Sequence, residues 1–464
     1  MEGTAAKPVN WLALFAIGIA TVTIANDFSA INVALPTMEG DFHTNINTIQ
    51  WVVNAYALTF GVMIVTGGRL ADMFGRRNAF FLGAVLFALF SAAGGAAPNE
   101  TILIATRALM GVGAALMLPA IIGMTYAILP EDKAGLAGGV IMGAAGLGNA
   151  IGPLIGGVFT DLLTWRWIFF LNVPIALFAI AVIWWSVHLT EPEDSDHSID
   201  YPGIAAISIG LVSLLIALDQ VDDWGWGDPR VIAMLAIAVV GVLAFVPLER
   251  RAGRHALIPP AIIANRGFAA SCVAILCMSA TFFASLLYLP QFMESQLGFS
   301  PLEAGLGIIP ALGTFAIVSF VAGPLYSRVG AKRLATFGAG CMCAAAILFS
   351  LVDAGDGYGS LVPGMIVLGI GIGSFYSTAT TAGVTSVDES QASLAGGIVY
   401  MFQIAGGSIG LGLTTTVFSA NVPPFIDGFQ AGFRLDAGIA LVGVVVSLLF
   451  VGGTLLARRA PATT

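Results

Sequence analysis

The chain has 464 residues, 58% of them hydrophobic and only 10% charged, with a formal net charge of −9. A soluble domain carries about a quarter charged residues, so this composition excludes a soluble globular protein and points to a lipid bilayer. No nucleic-acid partner and no cofactor are expected.

Apolar runs fall at roughly 11–36, 48–68, 78–97, 101–126, 134–160 and 166–189, then 203–219 and 231–248, then 267–293, 302–325, 334–352, 360–382, 391–418 and 436–457. A spanning helix needs roughly 20 apolar residues, so these are fourteen candidate spans. Backbone in lipid must satisfy its own hydrogen bonds, which makes them helices. The two in the middle are the shortest. The first is long and shows no evident small-residue cleavage site, so no cleavable signal is expected.

In chain order, the first run carries Asn26, Asp27 and Asn32, and the second carries Asn54 and Tyr56. The second and third are joined by a charged turn bracketed by glycines, from Gly68 and Arg69 through Asp72 to Gly75, Arg76 and Arg77. Glycine permits a turn that other residues resist. The fourth run contains Arg107. The fifth contains Gly148, Gly152 and Gly156, spaced four apart and so on one helical face, with Pro153, Gly157 beside them. Small residues on one face let another helix approach closely, and Pro153 removes a backbone donor and bends the helix.

The stretch from Glu191 to Asp200 is acidic and reads as a solvated linker. Two inserted runs follow, then a basic loop from Glu249 to Arg266. The chain thus divides into residues 1–190, 191–266 and 267–464. In the last part, Gly323 to Arg333 echoes the charged turn: the glycines keep their separation, Leu325 answers Leu70, and Lys332 and Arg333 follow Gly330. Both turns join helices two and three of their half, which suggests two related six-helix bundles, as in secondary transporters.

Basic residues set the orientation. With the N-terminus in the cytoplasm, the inside holds Lys7, Arg69, Arg76, Arg77, Lys133, Arg250, Arg251, Arg254, Arg266, Arg328, Lys332, Arg333, Arg458 and Arg459. The outside keeps Arg166, Arg230 and Arg434. Both termini are therefore expected to be cytoplasmic. Cys272, Cys277, Cys341 and Cys343 lie in apolar runs with no histidine near, so they read as small buried thiols, and no metal site is expected.

On these motifs the chain resembles the major facilitator superfamily, and more narrowly its fourteen-helix drug:proton antiporters. Gly68–Arg77 is similar to that superfamily's loop motif, with Asp72 and Arg76 in place and Met73 where a basic residue is usual. Arg107 to Gly113 is similar to its intramembrane arginine motif, with Met110 where glutamine is common. Gly148 to Gly157 resembles the antiporter motif, and Asp27 to Pro36 the first-helix signature. Tyr288 to Gln291, Gly298 to Pro301 and Gln403 to Ser408 are similar to the family's C-terminal half.

The resemblance implies an all-α polytopic protein: two six-helix bundles of major facilitator type plus two inserted helices. It also implies proton-coupled export of small amphipathic or toxic compounds from a cell membrane, by a protein functional as a monomer. Export of a dedicated metabolite and uptake by symport are the alternatives within transport; a membrane enzyme or receptor is the alternative outside it. No nucleophile–base pairing or phosphate loop speaks for an enzyme.

Asp27 and Arg107 are ionisable groups inside membrane runs, where such groups mark functional paths. Since the first and fourth helices line the superfamily's central cavity, a coupling pair is expected, with a fixed structural salt bridge as the plainer reading. Asp72 is expected to pair with its neighbouring arginines, or with the start of another helix in one conformation only, and so to gate; a static loop clamp is the alternative. The glycine face of the fifth helix is expected to seal the two bundles, against ordinary tight packing. Candidate pathway residues are Asn26, Asn32, Asn54, Tyr56, Phe282, Phe283, Tyr288, Gln291, Tyr376 and Gln403.

Overall fold

The structure is a computed structural model that describes residues 9–187, 200–253 and 256–452. The linker before Asp200, along with Lys7, Arg254, Arg458 and Arg459, lies outside them. Among the described residues, fourteen helical spans are long and apolar enough to cross a membrane.

The first half is α1 (Trp11–Phe42), α2 (Ile46–Phe74), α3 (Arg76–Gly95), α4 (Glu100–Ile128), α5 (Ala134–Leu162) and α6 (Arg166–Ser186). The inserted pair is α7 (Tyr201–Trp224) and α8 (Pro229–Ala252), followed by the short α9 (Pro260–Ala264). The second half is α10 (Arg266–Leu297), α11 (Pro301–Gly307), α12 (Ile309–Val329), α13 (Ala331–Phe349), α14 (Tyr358–Val384), α15 (Ala392–Ala420) and α16 (Phe425–Phe450).

Local chemistry sets many of the ends. Asn45 and Asn99 cap α2 and α4 by accepting the amides of Thr48 and Ile102, each at 2.9 Å. Ser300 and Glu303 form a reciprocal box at the start of α11. Gly75 ends α2 and starts α3 at φ 97°, and Gly330 does the same between α12 and α13 at φ 90°. Those dihedrals are strained for any residue with a Cβ. The two echoed turns therefore share a backbone conformation as well as a spacing.

Packing repeats in the same way. In the first half α1 packs on α5, α2 on α4 and α3 on α6; in the second α10 packs on α15, α12 on α14 and α13 on α16. The halves meet where α5 lies against α12 and α14, and where α2 and α4 lie against α15. The inserted α7 packs on α8 and touches both α2 and α15, one from each half. Large apolar side chains such as Trp184, Leu243, Ile317 and Phe337 face outward, as lipid-facing groups do.

Several boundaries differ from the hydropathy pattern, and the two glycine-bracketed turns shrink to Gly75 and Gly330, because α2 runs on to Phe74 and α12 to Val329. Pro36 stays inside α1, which runs on to Phe42. The run 302–325 breaks at Ile308 into α11 and α12. The last helix begins at Phe425, eleven residues before the apolar run, because Asp427, Gln430, Arg434 and Asp436 depress the hydropathy of its first third. Arg434 and Asp436 are thus helical residues, and Asp436 is fully buried.

Candidate functional site

In the first half, α1 and α4 bring Asp27 and Arg107 together, and both side chains are 0% exposed. The Arg107 guanidinium donates through Nη1 to Asp27 Oδ2 and through Nε to the Val52 carbonyl at 2.7 Å. Its plane lies 4.3 Å from the Tyr56 ring centroid, a cation–π stack. On the other side, Asn172 Nδ2 of α6 donates to Asp27 Oδ1 at 2.8 Å and to Ser91 Oγ at 3.2 Å. Ser91 Oγ in turn donates to the Phe169 carbonyl at 2.7 Å. Side chains from α4 and α6 thus meet the α1 carboxylate directly, and α2 and α3 hold those side chains in place. Removing one partner of such a buried pair costs ~3–5 kcal/mol, because the other charge is left unpaired.

Tyr56 is the wall between this pair and a cavity of about 200 Å³ between the halves. Phe28, Tyr56 and Asn149 line it from the first half; Phe282, Phe283, Phe315, Tyr376, Tyr400 and Gln403 line it from the second. No charged side chain is among its lining residues. Tyr376 is held by a 2.8 Å hydrogen bond with Ser279. Below the cavity, the Tyr126 hydroxyl donates to Thr381 Oγ1 at 3.0 Å, joining the halves.

The other pathway candidates fall elsewhere. Asn54 lines an adjoining groove of about 250 Å³ with Trp51, Leu215, Leu287 and Thr415, in which α7 forms one wall and which shares Ile404 and Ser408 with the cavity. Tyr288 is buried and donates to Thr415 Oγ1 at 2.7 Å. Asn26 faces a lateral pocket with Ile151 and Phe178. Asn32 is exposed and donates to the Phe28 carbonyl at 3.0 Å. Gln291, half-buried, lines none of these spaces. In this conformation these residues do not line one space, since an all-apolar helix carries no polar stripe to fix its rotation.

At the basic end, Gly68 lets α2 cross α15 closely: a methyl group there would sit 2.9 Å from Leu394 Cα. One turn on, the Asp72 carboxylate accepts the Ser393 and Leu394 amides at 3.2 and 2.8 Å. These are free donors in the first turn of α15, at the positive end of its dipole. Arg76 pairs with Asp72 at 3.3 Å and donates to the Gly123 carbonyl at 3.1 Å and to the Glu389 carbonyl across the interface. Arg77 donates to the Trp184 carbonyl at 2.8 Å and stacks on the Trp184 ring. Nearby, the Ser390 hydroxyl and amide donate to Asp388 and hold its carboxyl below the usual range.

The second turn crosses in the same manner: a methyl at Gly323 would sit 2.7 Å from the Gly135 carbonyl oxygen of α5. Where Asp72 stands in the first turn, however, the second has Ser327, whose hydroxyl turns back to the Pro324 carbonyl at 3.3 Å. One crossing carries an acid and its equivalent does not.

The glycines of α5 divide between two neighbours. A methyl at Gly148 would meet the Val22 carbonyl at 2.6 Å, at Gly152 the Ala30 amide at 3.0 Å, and at Gly156 the Ala30 carbonyl carbon at 3.0 Å. All three seat α5 on α1, inside its own half. The face toward α12 is built by Gly139 and Gly146, next to Ser319 and Ala316, and by Gly143 against Phe320. Pro153 and Gly157 lie against Gly305 and Leu302 of α11. The α5 surface toward the second half is thus built by Gly139, Gly143 and Gly146 against α12 and by Pro153 and Gly157 against α11, while Gly148, Gly152 and Gly156 face α1.

Two buried polar groups escaped the sequence. Asn172 sits in the run Phe169-Phe170-Leu171-Asn172-Val173, where a lone asparagine in apolar surroundings was the available signal. Asp436 of α16 is 0% exposed, and its Oδ1 lies 2.8 Å from Thr414 Oγ1 of α15.

With this geometry in view, the known proteins it resembles are informative. The Major Facilitator Superfamily profile matches residues 17–411. The chain is similar to the puromycin resistance protein of Streptomyces alboniger, 32% identical over 461 residues, spanning 97% of this chain and 90% of that protein. It is also 32% identical over 435 residues to the cephamycin export protein of Amycolatopsis lactamdurans, spanning 91% and 87% of the two chains. A multidrug transporter of Bacillus subtilis is 27% identical over 422 residues, spanning 89% and 77%. The backbone resembles the crystal structure of a human organic anion transporter with a TM-score of 0.67 at 14% identity, covering 95% of this chain and 100% of that one. At that identity the likeness speaks to the fold.

Proposed function

Because the chain belongs to the major facilitator superfamily, we propose that it is a proton-coupled antiporter exporting small amphipathic compounds across the cell membrane. The observation that carries this reading is the uncharged, aromatic cavity between the halves, backed through Tyr56 by the buried Asp27–Arg107 pair. Aromatic walls suit flat, lipophilic or cationic compounds. The basic end is read as cytoplasmic, with both termini there. Residues 1–190 and 267–464 act as the two rocking bundles, 191–266 as the insertion, and the working unit as a monomer.

In the cycle we infer, the Asp72–Arg76 contacts hold the cytoplasmic end shut. Their release lets the bundles rock apart, which opens the cavity in front of Tyr56 and admits water toward Asp27. The carboxyl then takes a proton on one face and gives it up on the other. As a carboxylate it attracts a cationic compound; once protonated it lets that compound go. One site thereby exchanges proton for cargo.

Relatives named for cephamycin export and for tetracenomycin C resistance and export favour, as a second reading, a dedicated natural-product exporter. Purified protein in liposomes separates the cases. An imposed pH gradient is expected to drive ethidium and puromycin. Movement of neither compound, with natural products carried instead, supports the dedicated reading; gradient-driven accumulation in the direction of proton flow supports symport.

A further inference from the structure

The first half holds its buried acid against an arginine; the second half holds one against nothing charged. Asp436 lies eleven residues into α16, about 17 Å from that helix's start at 1.5 Å per residue. It is fully buried, its Oδ2 has no hydrogen-bond partner, and Oδ1 meets only Thr414. Arg434, two residues earlier, points to the opposite face and donates to Gln430 Oε1 at 2.8 Å.

The helices packed on α16 are α10, α13 and α15. Their titratable groups are committed elsewhere or are uncharged. From α13, Cys343 Sγ donates to the Ala437 carbonyl at 3.5 Å, and Lys332 Nζ donates to the Leu449 carbonyl, thirteen residues further along α16. From α10, Cys277 packs beside Gly443 and the Tyr288 hydroxyl goes to Thr415. Arg266 and Glu294 stand near the two ends of α10, and Arg333 near the start of α13. From α15, Tyr400 is turned to Met142. Among the described residues no cation pairs with Asp436. A lone carboxylate in such surroundings is expensive.

Thr414 fixes how the acid is satisfied. Its Oγ1 lies 2.8 Å from Asp436 Oδ1 and 2.9 Å from the Gly410 carbonyl. A hydroxyl has one proton to donate. If Asp436 is neutral, its O–H donates to Thr414, and Thr414 donates to Gly410, so every group in the relay is used. If Asp436 is ionised, Thr414 must turn to it and abandon Gly410. The distances fit the neutral relay without rearrangement.

We propose that Asp436 is a second proton-binding site of this protein, loaded in the conformation seen here and emptied when α15 shifts; its place in the cycle rests on the coupled antiport proposed above. The helix that contacts it also carries Ser393 and Leu394 at the Asp72 contact and Gln403 on the cavity. A movement of α15 that opens the cavity therefore displaces Thr414 from Asp436. Water admitted there takes the proton from the carboxyl as hydronium, leaving the carboxylate, which rebinds a proton when α15 returns.

Infrared difference spectroscopy on the full-length protein in lipid, stepped from neutral to alkaline pH, reads the site directly. The expected result is the carbonyl stretch of a buried protonated carboxyl, declining as the pH rises and missing from Asp436→Asn. Thr414→Val, which removes the acceptor of that proton, is expected to shift the band, and it serves as the test if the Asn variant does not insert. A band that survives in Asp436→Asn, or does not move in Thr414→Val, overturns the proposal. In proteoliposomes the proton-to-ethidium ratio is expected to be one lower in Asp436→Asn than in the parent, and an unchanged ratio overturns its place in the cycle. Lack of pH-driven movement of ethidium, puromycin and natural products alike in the parent protein counts against coupled antiport itself, while the infrared band reports on Asp436 whether or not any of them is carried.

Discussion

The carboxylate of Asp72 on α2 accepts the amide of Leu394 on α15 at 2.8 Å, so one half of the protein caps a helix of the other. A carboxylate at a helix N-terminus is ordinarily a local device. Here it acts across the interface between the halves, and in the cycle proposed above it belongs to one conformation.

Asp72→Asn keeps the shape but removes the charge that binds both the α15 amides and Arg76. The closed basic end should lose about 1 kcal/mol, roughly a fivefold shift in the equilibrium. Maleimide labelling of Gln403→Cys, in a protein whose four native cysteines are replaced, should rise several-fold from the cytoplasmic side. Unchanged labelling would mean that the contact is a passive clamp.

Asp27→Asn should abolish pH-driven ethidium efflux while leaving protein in the membrane, with binding of neutral compounds retained. Asp27→Glu should keep part of the activity with a displaced pH profile. Efflux in proteoliposomes, normalised to inserted protein, checks both. Full coupling in the Asn variant returns Asp27 to the role of a fixed structural partner for Arg107.

Asn172→Ala removes the donor that holds Asp27 Oδ1 at 2.8 Å. Hydrogen bonds to charged groups contribute about 1.5–3 kcal/mol, so the Asp27 carboxyl should be less firmly held and the pH profile of efflux should change. Asn172→Asp should be far more harmful, because it places a second carboxylate beside the first. A profile unchanged in the Ala variant would rule out a positioning role.

Gly139→Leu and Gly152→Leu should fail differently. The first forces a side chain against Ser319 and Gly323 across the interface, so the protein should insert normally and label readily from the cytoplasm. The second forces one against Ser29 and Ala30 within the half, so inserted protein itself should fall. Overpacking of this kind costs ~1–3 kcal/mol or more. Thermal stability in detergent and cytoplasmic labelling, measured on both, separate the two outcomes.

Ser390→Cys should react with a membrane-impermeant maleimide only from the cytoplasm, and Gly355→Cys only from outside. The reverse pattern would invert the orientation drawn from the basic residues.

What the sequence made legible follows from where charge and glycine are scarce. In a chain this apolar, the charged stretch around Asp72 and its echo stand out, and the positive φ shared by Gly75 and Gly330 carries the repeat into the backbone. Asp27 and Arg107 were legible for the same reason, as charges in hydrocarbon. Asp436 was not, because Asp427, Gln430 and Arg434 precede it and make it look like the edge of a loop. The glycines facing α12 were overlooked beside a more familiar motif on the same helix. Asn26 and Asn32 sit on a correctly placed helix but miss the cavity, since which way a helix turns is set by its neighbours.

The unequal crossings have a further consequence. Two backbones of like shape meet two helix starts, yet only one meeting carries an acid, and α5 has no side-chain cap at its own start. In the cycle proposed above, the resting position of the whole protein is then a dial with one setting screw. Ser327→Asp would add a second screw without rebuilding either bundle. Drift at these two positions alone gives descendants of this chain a short route to pumps that idle open or idle shut, each with the same cavity.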